Sequence, residues 1–383
     1  MRTSGLWIIN DGDPVVDPPS PKGLAYPFRA VYQALPYTIY VANQYGRLIG
    51  ELGQWGTLQS AIWRHNAHGT ATILLANTIV THAPYLLERG NRVLIQFADG
   101  RLPTWGGIID PPINPTQSNI QVTCYSAEYL AQLWSLRSHR TFLVHTRGEI
   151  IAGLWADTDD NLGEVYNNPA DISMQGKYYR EEYAPQMLAQ ALEQATAFNE
   201  NLYWYLEPVV IQNTIRFSLH VYYGYLKDKQ AVLMRGRNFN DVELMEQGPI
   251  HNWVAFASHG DNEPFTAIVE DVASVSRYGR RSHFATVSDT AGNGMNILQL
   301  TDLAEAYLQR HRQPLERVRG SAIDMPPSRF GAYELGDRVI VELTSLFNDS
   351  PNNYRHGRIR SMEYAPPTGK LDLVIDLEQP NEV

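Results

Sequence analysis

One pattern of turns and strands occurs twice in this chain, at widely separated places. The first runs Gly90-Asn91-Arg92-Val93-Leu94-Ile95-Gln96, then Gly107-Ile108-Ile109, Pro111-Pro112 and Ile120-Gln121-Val122-Thr123-Cys124. The second runs Gly336-Asp337-Arg338-Val339-Ile340-Val341-Glu342, then Gly357-Arg358-Ile359, Pro366-Pro367 and Leu371-Asp372-Leu373-Val374-Ile375. In each, a Gly-Asx turn enters a strand, a loop leads to a Gly-led strand, and a Pro-Pro bend precedes a final strand. Repetition of a three-stranded unit points to a duplicated β-domain. Two copies are too few for a solenoid, so the pattern predicts a pair of domains. The competing reading is chance likeness between two meanders, because Gly-Asp-Arg-Val is a common entry to a strand.

A chain of 383 residues exceeds one ordinary hydrophobic core, so about two to four domains are expected. The 22 tyrosines and 8 tryptophans are large amphipathic rings that favour strands and interfaces. Lys plus Arg is 31 against 41 Asp plus Glu, a net charge of -10. That balance argues against a general nucleic-acid binder, which needs a basic footprint. It is compatible with a surface past which nucleic acid slides. Cys124 is the only cysteine, so no disulfide forms within the chain and folding in a reducing cytosol is expected. Inside a predicted strand it reads as a small hydrophobe. No run approaches the ~18 apolar residues of a membrane span. The first ten residues are too short an apolar stretch for a signal peptide, with Asp11 and Asp13 following at once.

Pro14, Pro18, Pro19, Pro21 and Pro27 forbid regular structure, so residues 1–30 read as an extended Pro-rich arm. Strand-like alternation begins at Tyr37-Thr38-Ile39-Tyr40-Val41-Ala42 and continues through Leu48–Leu52, Thr57–Arg64 and Thr70–Ala76, with a hairpin turn at Asn66-Ala67-His68-Gly69. Together with the first repeat unit these strands predict a first tube-like β-barrel over 31–126. A mainly helical insertion is expected over 127–200. It starts with a short helix capped by Ser126, with Glu128 in its first turn, followed by helices near Ile150–Trp155 and from Pro185 to Phe198. A second β-barrel is expected over 201–383. It contains a hairpin at Leu202–Leu206 and Ile215–Tyr222, a strand at Trp253–Ala257 closed by His259-Gly260-Asp261, and a helical insertion around 294–311. That helix presents Leu300, Leu303, Ala304, Tyr307 and Leu308 on one face and stops before Pro314. The fold class read from the sequence is α+β, mainly β, with two tandem tube-like β-barrel domains and inserted α/β segments.

Catalytic signatures are absent: no G-x-S-x-G, H-E-x-x-H, Walker A loop or complete G-x-G-x-x-G occurs. Gly292-Asn293-Gly294 begins a glycine fingerprint, but Ile297 stands where the third glycine would be, so it reads as a loop. Asp157-Thr158-Asp159-Asp160-Asn161 resembles the start of a calcium loop. Leu162 replaces the turn glycine and Asn168 the bidentate carboxylate, so an exposed acidic loop is the better reading. His65 and His68 could be two metal ligands, but a hairpin turn without a third ligand favours solvated histidines. The pairs Glu181-Glu182 and Glu270-Asp271 could flank a sugar, as glycosidases require, or lie on a solvated face. Tyr203-Trp204-Tyr205 and Tyr222-Tyr223-Gly224-Tyr225 could stack on glycans, or serve as core and subunit interface, the reading favoured here. No catalytic, cofactor-binding or metal residue is assigned, and no cofactor.

The order of several loose motifs resembles the tail hub, or baseplate hub, proteins of tailed bacteriophages. They are Tyr45-Gly46-Arg47-Leu48-Ile49-Gly50-Glu51-Leu52, Asn66–Thr72, Gly90–Ile95, Trp105-Gly106-Gly107-Ile108-Ile109 and Ser126-Ala127-Glu128-Tyr129-Leu130. Later come Asn252-Trp253-Val254, Ser274–Arg281, the helix before Pro314 and Gly336-Asp337-Arg338-Val339. The resemblance spans roughly residues 37–380. It implies a structural virion protein of the phage tail tip, made in the host cytoplasm and not an enzyme. It implies a homotrimer whose six barrels form a pseudo-sixfold ring joining tail tube to tip. Implied partners are distal-tail or tail-tube rings, tip or fibre proteins, and a tape-measure protein in the lumen, through which DNA is ejected without specific binding. The -10 charge prompts the expectation of an acidic lumen that does not trap DNA. The alternative functions are a carbohydrate-active enzyme built on an acidic pair and a glycan-binding tail adhesin.

Overall fold

The computed structural model describes residues 36–110, 119–158, 165–172, 179–197, 202–247, 249–258, 266–287, 297–343 and 354–378. The arm at 1–30, the Pro111-Pro112 bend, Asp159 to Asn161, Phe198, His259-Gly260-Asp261 and Gly292-Asn293-Gly294 lie outside these residues.

The first half contributes β1 (Tyr37–Ala42), β2 (Leu48–Glu51), β3 (Gly56–Arg64), β4 (Thr70–Ala76), the short helix α1 (Thr78–His82), β5 (Arg92–Phe97), β6 (Trp105–Ile109) and β7 (Asn119–Ser126). Then follow α2 (Leu130–Leu133), β8 (Arg140–His145), α3 (Arg147–Thr158), β9 (Val165–Ile172), β10 (Tyr179–Tyr183), α4 (Leu188–Ala197), β11 (Leu202–Ile211) and β12 (Thr214–Tyr223). The remainder is β13 (Asp228–Met234), β14 (Phe239–Gln247), β15 (Trp253–Ser258), β16 (Thr266–Glu270), α5 (Val272–Tyr278), β17 (Ser282–Val287), α6 (Ile297–His311), β18 (Leu315–Ala322), β19 (Arg338–Glu342), β20 (Tyr354–Ala365) and β21 (Lys370–Leu377).

The two Gly-Asx turns of the repeat make the same hydrogen bonds. Gly90 N–H donates to Ile109 O at 2.7 Å and Ile109 N–H to Asn91 O at 2.9 Å. In the second half Gly336 N–H donates to Ile359 O at 2.9 Å and Ile359 N–H to Asp337 O at 3.1 Å. Both glycines have positive φ, +89° and +85°, a conformation costly for any residue with a Cβ.

The duplication reaches further than the sequence pattern. Neighbouring strands in the first half follow the order β1-β5-β6-β7-β4-β3, and in the second β13-β19-β20-β21-β18-β14. The strands of each series also keep the same rank along the chain. The outer strand alone differs in direction: β1 is antiparallel to β5, whereas β13 is parallel to β19.

The sequence reading expected two separate tubes, but the described strands close neither half into one. The halves join edge to edge in one 13-stranded sheet with β2 and β14 at the ends of its main path. The reason lies in β3 and β20. The C-terminal half of β20 pairs with β3, Ser361 opposite Arg64 and Tyr364 opposite Ala61, while its N-terminal half pairs with β19. The main core lies on one face of this sheet and runs through both halves, with Trp63, Phe97, Phe330 and Tyr364 in edge or tilted ring contact.

A second core covers the other face of the first half. Along β5, Val93, Ile95 and Phe97 enter the main core while Leu94 enters the second, joining α3, α4 and the β11–β12 hairpin. Burial on both sides explains why β5 is nearly continuous in apolar residues. Its counterpart β19 buries Val339 and Val341 and leaves the alternate positions half-exposed. A third, small core forms where Val254, Phe256 and Ala267 of the β16-β15-β17 sheet meet Leu300, Leu303, Ala304 and Leu308 of α6, the helix face expected from the sequence.

The turn glycines differ in what surrounds them. A Cβ on Gly90 would come no nearer than 3.7 Å to Gln44, whereas on Gly336 it would lie 2.2 Å from Tyr222 Oη and 2.9 Å from His65 Nε2. Gly90→Ala is therefore expected to cost only the positive-φ strain, roughly 1–2 kcal/mol. Gly336→Ala should cost clearly more. Denaturant unfolding of the two variants checks this; equal costs would refute the steric argument.

Candidate functional site at the seam between the halves

The turn that follows β3 carries the seam outward. Asn66 adopts φ +54° and clamps β11: its N–H donates to Trp204 O at 3.1 Å, its Nδ2 to Leu202 O at 3.0 Å, and Trp204 N–H donates to its Oδ1 at 2.8 Å. On β11, alternation sends Trp204 into the second core and Tyr203 and Tyr205 toward His65. His65 is buried among Tyr203, Tyr205 and Tyr222, and the Tyr222 hydroxyl lies in hydrogen-bond reach of its Nε2 at 2.9 Å. Burial, reinforced by the nearby Arg358 and Arg360 guanidiniums and opposed by Asp376, pulls the His65 pKa down to about 3, so the ring is neutral.

Behind this aromatic layer stands Asp376, 6% exposed. Arg317 donates to it at 2.5 Å, Arg358 at 3.1 Å and Arg360 at 3.3 Å. Burial alone would raise its carboxyl pKa, but Arg360, Arg317 and Arg358 together hold it below the usual carboxylate value. Arg358 also lies 3.7 Å from the centroid of the Tyr203 ring and donates to Gly224 O at 2.7 Å. The Arg residues of the repeat perform related tasks. Arg92 donates to Ile215 O and Gln44 O and sits over Phe217. Arg338 pairs with Glu378 and Asp228 and sits over Tyr225.

Glu128 is a second buried latch. Leu206 N–H donates to its Oε1 at 2.8 Å, the Ser126 hydroxyl donates to its Oε2 at 2.5 Å, and Gly69 N–H donates to Ser126 Oγ at 2.7 Å. Burial pushes its carboxyl pKa up to about 7, against these hydrogen bonds. As the sequence reading expected, Ser126 stands at the start of the short helix and Glu128 in its first turn. Ser126 makes no side-chain cap bond there, however; both side chains turn inward to tie β4, β7 and β11 together.

The other candidate residues do not converge. His68 stacks edge-on against Tyr125 and Tyr129, and its Nδ1 lies 3.3 Å from Gln132 Nε2, in surroundings distinct from those of His65. Asp157 forms an ion pair with Arg140. Glu181 pairs with Arg147 and accepts from Tyr183, whereas Glu182, next along β10, lies 3.7 Å from His139. Adjacent strand residues face opposite ways, so this pair does not flank one ligand. Asp271 caps α5 by accepting from Ser274 N–H and pairs with Arg312. Tyr225 is 43% exposed, but Tyr203 and Tyr222 are buried at the seam, so the two aromatic runs do not form one open platform. Cys124 is buried, which pushes its thiol pKa up to about 12. Among the described residues no group of three His, Cys, Asp or Glu could hold a metal, and no helix is long and apolar enough to cross a membrane.

No protein-family model matches the chain, and no curated protein matches it significantly. Its fold is that of prophage tail proteins. Prophage tail protein gp18 from Listeria monocytogenes is similar at TM-score 0.53 and 11% identity, over 90% of this chain and 95% of that one. The 43 kDa tail protein of prophage MuSo2 from Shewanella oneidensis is similar at TM-score 0.53 and 12% identity, over 90% and 99%. A tail protein from Neisseria meningitidis is similar at TM-score 0.56 and 12% identity, over 90% and 97%. The resemblance read from the order of the motifs thus holds for the fold of nearly the whole chain.

The neutral His65 makes the seam sensitive to acid. In the unfolded chain it gains a proton near pH 6.5, in the folded protein only near 3. Its contribution is complete above 6.5 and is lost as pH falls through that window, by on the order of 5 kcal/mol at the acid end. Denaturant midpoints measured across this range should fall less steeply for His65→Gln than for the natural chain. Parallel curves would show that His65 does not set the acid limit.

Proposed function

We propose that this chain is a structural tail hub, three copies of which close into a pseudo-sixfold ring joining tail tube to tail tip. The observation that carries the reading is the duplicated six-strand order within one chain. A subunit with two equivalent halves can occupy two neighbouring places in a sixfold ring, so three subunits fill it. Distal-tail or tube rings would stack on one side and tip or fibre proteins on the other, with tape-measure protein and then DNA in the lumen. The fold likeness to prophage tail proteins over nearly the whole chain supports this assignment, as does the structural use of the candidate acidic pairs. In this reading the protein is a virion component.

The repeat also nominates the subunit contact. In the first half the outer strand β3 is paired with β20. Its counterpart β14 is paired on one side with β18 and is otherwise a sheet edge. An exposed edge invites another strand, so β14 is the edge through which one subunit would meet the next, as β3 meets β20 within the chain.

Native mass measurement at high protein concentration should give three copies of the 43.3 kDa chain. Successive residues of a strand direct their N–H groups to opposite edges. Of Glu243→Pro and Leu244→Pro, one should therefore break the β14–β18 ladder, and the other should leave the fold intact and yield monomers. A twofold dimer of the natural chain would overturn the ring.

A further inference from the structure

The seam contains a cavity of about 460 Å³ on the sheet face opposite the main core. Four guanidiniums line it, those of Arg64, Arg317, Arg319 and Arg360, against the two carboxylates of Glu363 and Asp372. This local excess of positive charge stands in a chain whose net charge is -10. It arises from strand geometry. Arg317 and Arg319 are two apart on β18, and Arg64 sits on β3 opposite Ser361, next to Arg360, so one sheet face gathers arginines from three strands.

The acidic groups nearby offset only part of it. Glu363, Asp372 and Asp376 supply three carboxylates against the five guanidiniums of Arg64, Arg317, Arg319, Arg358 and Arg360, and Asp376 is shared by three of these. Arg64 and Arg319 are exposed and make no ion pair among the described residues. Neighbouring His65 is kept neutral first by burial, with the Arg358 and Arg360 guanidiniums adding to the effect.

We infer that this cavity is a phosphate-binding site. Guanidinium forks match the oxygens of a phosphate two at a time, and several such forks on one concave wall suit a tetrahedral oxoanion better than a single planar carboxylate. The group bound is a phosphate, free in solution or within the backbone of a single-stranded nucleic acid. The site stands on the cavity and its charges and does not rest on the tail-hub reading.

The test uses the full chain. Inorganic phosphate is titrated by calorimetry at low ionic strength, and a short labelled oligothymidine is followed by fluorescence anisotropy across a salt series. The variant is R64Q/R319Q, which leaves the Asp376 ion pairs in place. The expected result is binding that weakens about tenfold in the variant, with an unchanged unfolding midpoint. For the oligonucleotide, the slope of log affinity against log salt should fall by about 1.4, two phosphate contacts having been removed. Competition between phosphate and the oligonucleotide places both at this site; binding of phosphate alone assigns it to the free ion. Absence of binding by both probes, equal affinity in the variant, or displacement of the oligonucleotide by polyglutamate as readily as by phosphate would each overturn the inference.

Discussion

The pairing of β3 with the C-terminal half of β20 is the constraint on which the remaining architecture depends. It involves four residue pairs, from Arg64 opposite Ser361 to Ala61 opposite Tyr364. Each backbone hydrogen bond contributes only about 0.5–1.5 kcal/mol net, so the ladder alone is modest. What it fixes is register, and register places Trp63, Phe97 and Tyr364 in contact across the two halves. Burying a large side chain there contributes about 1.5–3 kcal/mol. Hydrogen bonding selects the alignment and apolar burial stabilises it. The same strands carry His65 and Arg358 to the opposite face, where the polar layer assembles.

That polar layer is costly to build and costly to disturb. Asp376 is almost wholly enclosed, and an enclosed carboxylate is tolerated only when its charge is met and its oxygens are bonded. Three arginines meet it, and Arg358 is held as well by Gly224 O and the Tyr203 face. Replacement of Asp376 would set three guanidiniums against one another with no carboxylate between them. Such networks contribute less to net stability than to uniqueness of arrangement, and here they hold the hairpin to the seam in one orientation.

Much of the fold was legible in the sequence. The repeated Gly-Asx turns marked three strands of each half, because positive φ and strand entry leave a local signature. The β11–β12 hairpin and the apolar face of α6 were legible for the same kind of reason. The other three strands of each half were invisible as repeats, since their equivalence lies in pairing order and not in residue type. The edge-to-edge fusion was illegible too, because β20 reads as one strand and nothing local says that it serves two partners. Glu128 gave no warning: an acid just after Ser126 has the signature of a helix start, and only tertiary burial turns it inward. The arginine cluster did leave a trace. Arg317-Val318-Arg319 and Arg358-Ile359-Arg360 alternate with strand period, which places paired cations on one face, although the partner Asp376 could be named only from the three-dimensional arrangement.

The double service of β20 has a mechanical meaning. Its two halves lie on the same strand, so force entering the second half through β19 is handed to the first through an unbroken backbone and not through a linker. A pull along that strand strains all four β3 pairs at once, because the ladder bonds lie perpendicular to it. A pull across the strand peels them one by one. The joint is thus stiff lengthwise and yielding sideways, and the two halves move as one plate under axial load while keeping a preferred line along which they can part.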